Sequence, residues 1–291
     1  MDSTDHRAVL ITGATDGLGR ALAHRLAARG TNLVLHGRNP VKGRELISEL
    51  KSATGNTRLA YEQADFSSLE EINALADRLL ERERLDVLVN NAGIGVELIR
   101  QESKDGNELT FQVDYLASYI LSCRLVPLLT RSTPARIVNV SSAGQAPLNF
   151  DDIMLRRSWD GVQAYCQAKL AQIMLTIDLA QALAGSGVTV NSLHPASYMP
   201  TKIVTHLFTP QSTIAEGAGN VERLVADREF DQTTGGYYNR TELAQPSPQA
   251  LNPAARARLR QISEKLTGVP FPRLPAREPA GLKLRAQPEP G

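Results

Sequence analysis

An α/β fold, with a parallel sheet between layers of helices, is predicted by two features of this 291-residue chain. Short apolar runs that read as buried strands alternate with amphipathic segments at helical spacing. The first of those strands also runs straight into a glycine-rich turn, and a helix starts at once. Residues 8–11, Ala-Val-Leu-Ile, are the first buried strand. A helix over 20–29 follows, closed by Gly30, and residues 32–35 form the second strand. Asn39-Pro40 opens a second helix, about 41–53. Residues 59–63 are a weaker third strand, followed by a helix near 69–83, and 86–89 a strong fourth strand. A long helix is expected over 107–130, a fifth strand over 136–140, and a helix over 164–184. Leu170, Met174 and Ile177 share one face of that last helix. Residues 188–193 read as the sixth strand, 235–238 as the start of a seventh, and 253–266 as a closing helix. No solenoid-length repeat interrupts the rhythm. Residues 1–268 therefore read as a single domain. Residues 269–291 hold six prolines without helical period and read as an extended or disordered tail.

Composition narrows the function classes. A hydrophobic content of 42% is enough to bury a full core. Thirty-two basic residues against thirty-one acidic ones leave a net charge of +1, which gives no reason to invoke nucleic acid or an anionic membrane as partner. Cys123 and Cys166 lie in apolar helical stretches, so they are expected as buried thiols without disulfide or catalytic work. No apolar run precedes the first strand and no 18-residue apolar stretch occurs. The expectation is therefore no signal peptide, no membrane span and a cytosolic protein. No metal site is expected either: Asp151-Asp152 reads as a loop pair, with no histidine or further carboxylate clustered nearby.

The chemistry sits at strand ends. Thr12-Gly13-Ala14-Thr15-Asp16-Gly17-Leu18-Gly19 lies between a strand and a helix, where glycines let backbone approach a pyrophosphate and helix amides attract its charge. After the second strand comes His36-Gly37-Arg38-Asn39. A carboxylate at this place would hold an adenosine ribose and repel a 2′-phosphate; Arg38 favours the phosphate, hence NADP(H). Asn90-Asn91-Ala92-Gly93 follows the fourth strand and Ser141-Ser142 the fifth, both at carboxyl ends. Tyr165 and Lys169 are one helical turn apart, so phenol and ammonium share a face. A neighbouring cation is expected to lower the phenol pKa from about 10 toward working pH, which makes Tyr165 a usable general acid or base. Tyr198 and Lys202 repeat the spacing, but Pro200 between them marks a loop. His194 reads as shaping a strand end and Trp159 as local packing.

Taken together, these residues resemble the short-chain dehydrogenase/reductase family. The motifs run in family order to about residue 268: 12–19, Asp65, 90–93, Ser142, Tyr165, Lys169, and His194-Pro195 with Thr201. The long Ser142-to-Tyr165 spacing with Leu148-Asn149-Phe150-Asp151-Asp152 inside it, the Tyr165–Ala171 stretch, and Gly236-Tyr237-Tyr238 are similar to the retinol-dehydrogenase-like branch, without fixing a retinoid substrate. The resemblance implies a Rossmann-type, doubly wound parallel sheet in three layers. It implies that Tyr165 gives or takes the substrate oxygen's proton, that Ser142 hydrogen-bonds that oxygen, and that Lys169 holds the nicotinamide ribose and tunes Tyr165. The implied nucleotide-binding set is Gly13, Thr15, Asp16, Gly17, Leu18, Gly19, Arg38, Asp65, Phe66, Asn91, Ala92, Gly93, Pro195 and Thr201, with Tyr165 and Lys169. It further implies a homodimer or homotetramer formed through the helices near 107–130 and 164–184.

One residue departs from the family. Asp114 stands where relatives carry an asparagine whose backbone carbonyl helps hold a water behind the lysine. Its side chain is expected either to pair with Lys169 or only to satisfy backbone donors. The leading function is an NADP(H)-dependent oxidoreductase acting on a carbonyl or alcohol of a fairly apolar small molecule, its pocket built from irregular segments 146–163 and 198–231, the latter a mobile lid. The alternatives are a catalytically weak nucleotide-binding scaffold, or an extended-type epimerase or dehydratase. The three site residues speak against the former and the short C-terminal part against the latter.

Overall fold

The computed structural model of the protein describes residues 7–273, apart from 202, 203, 205 and 206. Eight strands form one sheet: β1 (Ala8–Ile11), β2 (Asn32–Gly37), β3 (Leu59–Gln63), β4 (Val87–Asn90), β5 (Ala135–Val140), β6 (Val188–His194), β7 (Tyr237–Asn239) and β8 (Glu242–Leu243). Their spatial order is β3-β2-β1-β4-β5-β6-β7-β8, parallel throughout except for β7 against β8. Strand order reverses beside β1, and this opens a crevice at the carboxyl ends of β1 and β4. This is the doubly wound, three-layer sheet that the resemblance implied.

Alternation along the strands feeds two cores. Leu10, Val34, Leu88 and Ile137 point into one; Val9, Ile11, Leu33, Leu35, Val87 and Val89 point into the other. The first core takes α3 (Leu69–Leu80), α4 (Ala117–Arg124), α5 (Val126–Arg131) and α6 (Gly161–Ala182). The second takes α1 (Gly17–Ala28), α2 (Pro40–Thr54) and α7 (Ile214–Ala226). Side-chain caps start these helices: Ser68 for α3, Asp160 for α6, Thr213 for α7, and Asn39 for α2 with Pro40 at its first position. Asp160 explains why α6 begins at Gly161, before the expected start at 164.

Three expectations are corrected. The single helix over 107–130 is instead a π-helical turn (Phe111–Leu116) followed by α4 and α5. Pro127 has no amide to donate, so the helix breaks at Leu125. The segment 198–231 is not irregular throughout, because α7 occupies over a third of it. Its face of Ala218, Val221, Leu224 and Val225 packs into the second core, and the two glycines that read as loop lie inside it. Gly217 lies against Met199, whose thioether would have to move aside for a Cβ there. The supposed tail begins as packed chain: Val269 and Phe271 are buried, and the Val269 carbonyl accepts from Tyr119 Oη at 3.0 Å. Residues 274–291 lie outside the described residues.

The helices expected to join two copies have no free face. Ala117–Cys123 of α4 are all buried, and α6 is exposed only at Val162 and Gln181 near its ends. After the short α8 (Pro248–Leu251), the last helix, α9 (Pro253–Thr267), lies over them, with Arg256 bonded to Asp178 at 2.7 Å and Ser263 to Tyr115 at 2.7 Å. Among the described residues, no helix is long and apolar enough to cross a membrane and no metal-binding cluster occurs.

Candidate active site

The glycine-rich turn is stitched to the end of β4. Thr12 Oγ1 donates to the Val89 carbonyl and accepts from the amides of Asn91 and Ala92, both at 2.9 Å. Asn91 Nδ2 donates to the carbonyls of Thr12 and Gly13. The Asn91 side chain thus braces the turn from behind. Gly13 takes φ +65° and lies against Ala92, while a Cβ on Gly17 would reach Thr201 at 3.1 Å. Thr201, distant in sequence, therefore closes over the turn. The first-turn amides of α1, those of Leu18 and Gly19 among them, have no carbonyl within the helix to bond. Asp16 is the N-cap of α1, bonded to the Gly17 amide, with Lys42 Nζ 4.0 Å away.

Beside the turn, Thr15 packs against Gly37 at the end of β2. His36 is stacked on Phe66 with ring centroids 4.3 Å apart. Its Nδ1 accepts from the Gly13 amide, which places the proton on Nε2, facing the Ala64 carbonyl. Burial pushes the His36 pKa down to about 4, so the ring is neutral. Arg38 is exposed at the end of β2, and among the described residues its side chain forms no hydrogen bond or ion pair. Asp65 accepts from the Ser67 amide and lies 3.5 Å from Lys104. Pro195 is buried, and its carbonyl anchors α7 through Asn220.

Ser142, Tyr165 and Lys169 meet at the carboxyl end of β5. The Ser142 side chain lies near enough to the Tyr165 hydroxyl to act on its pKa. Its Oγ accepts from the Gly144 amide at 3.0 Å, and its carbonyl accepts from Tyr237 Oη at 3.0 Å. Lys169 Nζ lies 5.5 Å from the Tyr165 ring centroid. The expectation that this cation would bring the phenol toward neutral pH is corrected. Burial pushes the Tyr165 pKa above its ordinary value; Lys169 and the nearby Ser142 side chain pull it down, and Asp114 pushes it up again. Burial is the main reason the ammonium is less effective than the spacing suggested, and Asp114 adds to it. Its Oδ2 is 2.9 Å from Lys169 Nζ and its Oδ1 accepts from the Ile94 amide at 2.7 Å. Burial also pushes Asp114 up, against the pull of Lys169. For Lys169 burial alone would lower the pKa, but Asp114 and Tyr165 outweigh it and hold the ammonium above its usual range.

Several residues of this site carried no earlier assignment. Gln172 Oε1 accepts from Lys169 Nζ at 3.3 Å, and its Nε2 donates to Ser118 Oγ, which donates to the Asp114 carbonyl. Its i+3 spacing from Lys169 was a usable signal. Tyr237 comes from a distant strand, and nothing local in the sequence could have placed it. His194 pairs with Ser197, burial lowers its pKa to about 4, and it reads as structural. Tyr198 is exposed and packs against Phe208 with the rings tilted, and Lys202 lies outside the described residues. Trp159 donates to Glu108, and Asp151 and Asp152 bind only arginines and backbone amides. His194, Trp159, Asp151 and Asp152 keep the plain structural reading.

A glycine cradle at the switch of a doubly wound sheet, beside a serine–tyrosine–lysine group, defines a nucleotide-binding α/β protein of the dehydrogenase class. The chain matches the short chain dehydrogenase family over residues 7–212, and it belongs to that family. Within it the chain falls in the retinol-dehydrogenase-like branch. It is 32% identical to mouse (Mus musculus) retinol dehydrogenase 13 over 90% of this chain and 84% of that one. It is also 32% identical to human (Homo sapiens) retinol dehydrogenase 12, over 90% and 87%. Among solved structures it is similar to an uncharacterized protein from Mycobacterium paratuberculosis (TM-score 0.76, 28% identity, 91% and 95% covered). A short chain dehydrogenase from Shigella flexneri 2a strain 301, complexed with NADP, is also similar (TM-score 0.67, 25% identity, 83% and 98% covered). The protein is a short-chain oxidoreductase.

Proposed function

We propose that the protein is an NADP(H)-dependent oxidoreductase that interconverts a carbonyl and an alcohol on a fairly apolar small molecule. The convergence of Ser142, Tyr165 and Lys169 beside the glycine turn carries this reading. The residues fit a nicotinamide dinucleotide: Gly13, Gly17 and Gly19 leave a cradle that a Cβ would fill or distort, at the dipole end of α1. The bound cofactor supplies or takes up the hydride. Ser142 Oγ orients the substrate oxygen, Tyr165 Oη gives or takes its proton, and Lys169 sets the field around that hydroxyl. An apolar substrate fits the mouth of the cleft. Leu98 and Ile99, Val162, and the Tyr198–Phe208 pair with Leu207 leave large apolar side chains exposed on segments that follow β4, precede Tyr165 and follow β6. A panel of carbonyl compounds with NADPH, followed by loss of its absorbance, tests the reading. Turnover is expected; a protein that binds NADPH and reduces none of them would be a nucleotide-binding scaffold.

Cofactor choice rests on Arg38, with Lys42 one helical turn beyond it and no carboxylate on the end of β2. Structural neighbours complexed with NADP and NADPH are in keeping with this. A charge-assisted contact contributes about 1.5–3 kcal/mol, so Arg38→Ala is expected to cut the preference for NADPH over NADH by about tenfold or more. Equal kcat/KM for the two cofactors in the parent protein would sink the assignment.

We also propose that the protein is a monomer, against the expected dimer or tetramer, because α9 and the chain through Phe271 already cover α4 and α6. Light scattering should give a mass near 31.6 kDa. A concentration-independent dimer would show that another face associates.

A further inference from the structure

Asp114 and Lys169 form an ion pair inside the protein, with side chains 0% and 7% exposed. The carboxylate is placed by the π-helical turn Phe111–Leu116 and fixed by the Ile94 amide on Oδ1. It also sits close behind the cleft, since a Cβ on Gly93 would come within 3.0 Å of Oδ2. The other partners of Lys169 Nζ, the Val140 carbonyl at 3.4 Å and Gln172 Oε1 at 3.3 Å, are uncharged. A buried ammonium without a counter-charge is strongly disfavoured, and among the described residues Asp114 is the one carboxylate in contact with it. An acid that served only the Ile94 amide would leave that charge uncompensated.

We infer that Asp114 is a positioning residue that acts through Lys169: its carboxylate cancels the ammonium charge beside Tyr165, keeps Tyr165 as the phenol across neutral pH, and so fits the site to reducing carbonyls. This deepens the function proposed above and rests on it. In reduction a hydride joins the carbonyl carbon, the π electrons pass to oxygen, and that oxygen takes the Tyr165 proton. The substrate gains two electrons, the nicotinamide loses them, and water returns a proton to the phenolate. Oxidation of the alcohol needs the phenolate at the start. Both directions therefore share one titration, with reduction using its acid form and oxidation its base form.

The groups that face Tyr165 all bear on it. Lys169 and Cys166 lie on α6, Ser142 after β5, Tyr237 on β7 and Asp114 on the π-helical turn; Glu97, after β4, acts on Asp114. Of these only Lys169 is cationic. Removing the Asp114 charge leaves the Tyr165 oxygen, among the described residues, as the one group able to supply the counter-charge that the buried ammonium needs, which favours phenolate and moves the shared breakpoint to lower pH.

Asp114→Asn keeps the Oδ1 acceptor for Ile94 and the side-chain size. We expect the alkaline limb of carbonyl reduction and the acid limb of alcohol oxidation to move together, by about one pH unit, toward lower pH. Oxidation at neutral pH should then rise about tenfold. Gln172→Glu, which adds a carboxylate beside Nζ, is expected to move both limbs the opposite way, and it keeps the inference testable if Asp114→Asn folds poorly. The readout besides activity is the near-ultraviolet phenolate titration, taken as the difference between each protein and its Tyr165→Phe counterpart. Limbs and titration that superimpose on the parent's would overturn the inference, since Asp114 would then carry a proton and no charge. A parent that turns over no carbonyl, but whose Tyr165 titration still shifts in Asp114→Asn, would overturn the proposed function and leave the coupling standing.

Discussion

Tyr165→Phe is expected to lower kcat by about 10²–10⁴-fold, the usual contribution of a positioned general acid, while the affinity for NADPH changes little. The phenylalanine ring fills the same half-buried space, and Ser142 Oγ keeps the Gly144 amide as a partner. The variant should therefore fold and bind nucleotide, and the loss should fall on the chemical step alone. Ser142→Ala is expected to lower kcat less, because it removes an orienting group and leaves the proton in place. Stopped-flow fluorescence of bound NADPH separates binding from hydride transfer. Near-normal turnover in Tyr165→Phe would mean that the proton comes from elsewhere.

What the sequence shows depends on how local the cause is. The glycine turn, the strand ends and the Tyr165–Lys169 turn are each written within a few residues, so the order of the site was legible before any coordinates. Helix ends were legible where a cap is local, as with Asn39-Pro40, and missed where it is not an obvious pattern, as with Asp160 four residues ahead of the expected start. The glycines at 217 and 219 read as loop because glycine lowers helix propensity. Tertiary packing of Ala218, Val221 and Leu224 against α1 and the sheet overrides that preference. Contacts between distant segments left no trace: Tyr237 on Ser142, Thr201 over Gly17, and α9 over α4. Arg136 was read only as part of a strand, yet it is buried and bonded to the Leu224 carbonyl and to Asp231 at 2.6 Å. The spacing of Tyr165 and Lys169 placed the right groups on one face but misjudged their electrostatics. Desolvation of the phenol sets the direction of its shift, and the opposing charge, Asp114, lies 51 residues from Tyr165 in the chain.

Gly19→Ala and Gly219→Ala are the same substitution with opposite expected outcomes. A Cβ at Gly19 would overlap the Gly13 carbonyl oxygen and reach Asn91 Nδ2 at 2.5 Å. Those are the two ends of the brace that holds the turn against β4, so neither can give way without moving backbone. Two charge-assisted amide bonds to a diphosphate, each about 1.5 kcal/mol, would be misaligned. We therefore expect the Kd for NADPH to rise about 100-fold or more, with a lowered Tm. At Gly219, inside α7, the nearest atoms to an added Cβ are the far end of Arg25 at 3.8 Å. Nothing clashes there, and replacing a mid-helix glycine by alanine is expected to stabilise the protein by about 0.5–1 kcal/mol. NADPH fluorescence titration and thermal denaturation of both variants measure the two effects. If Gly19→Ala bound NADPH as tightly as Gly219→Ala, the turn between β1 and α1 would not be where the diphosphate sits.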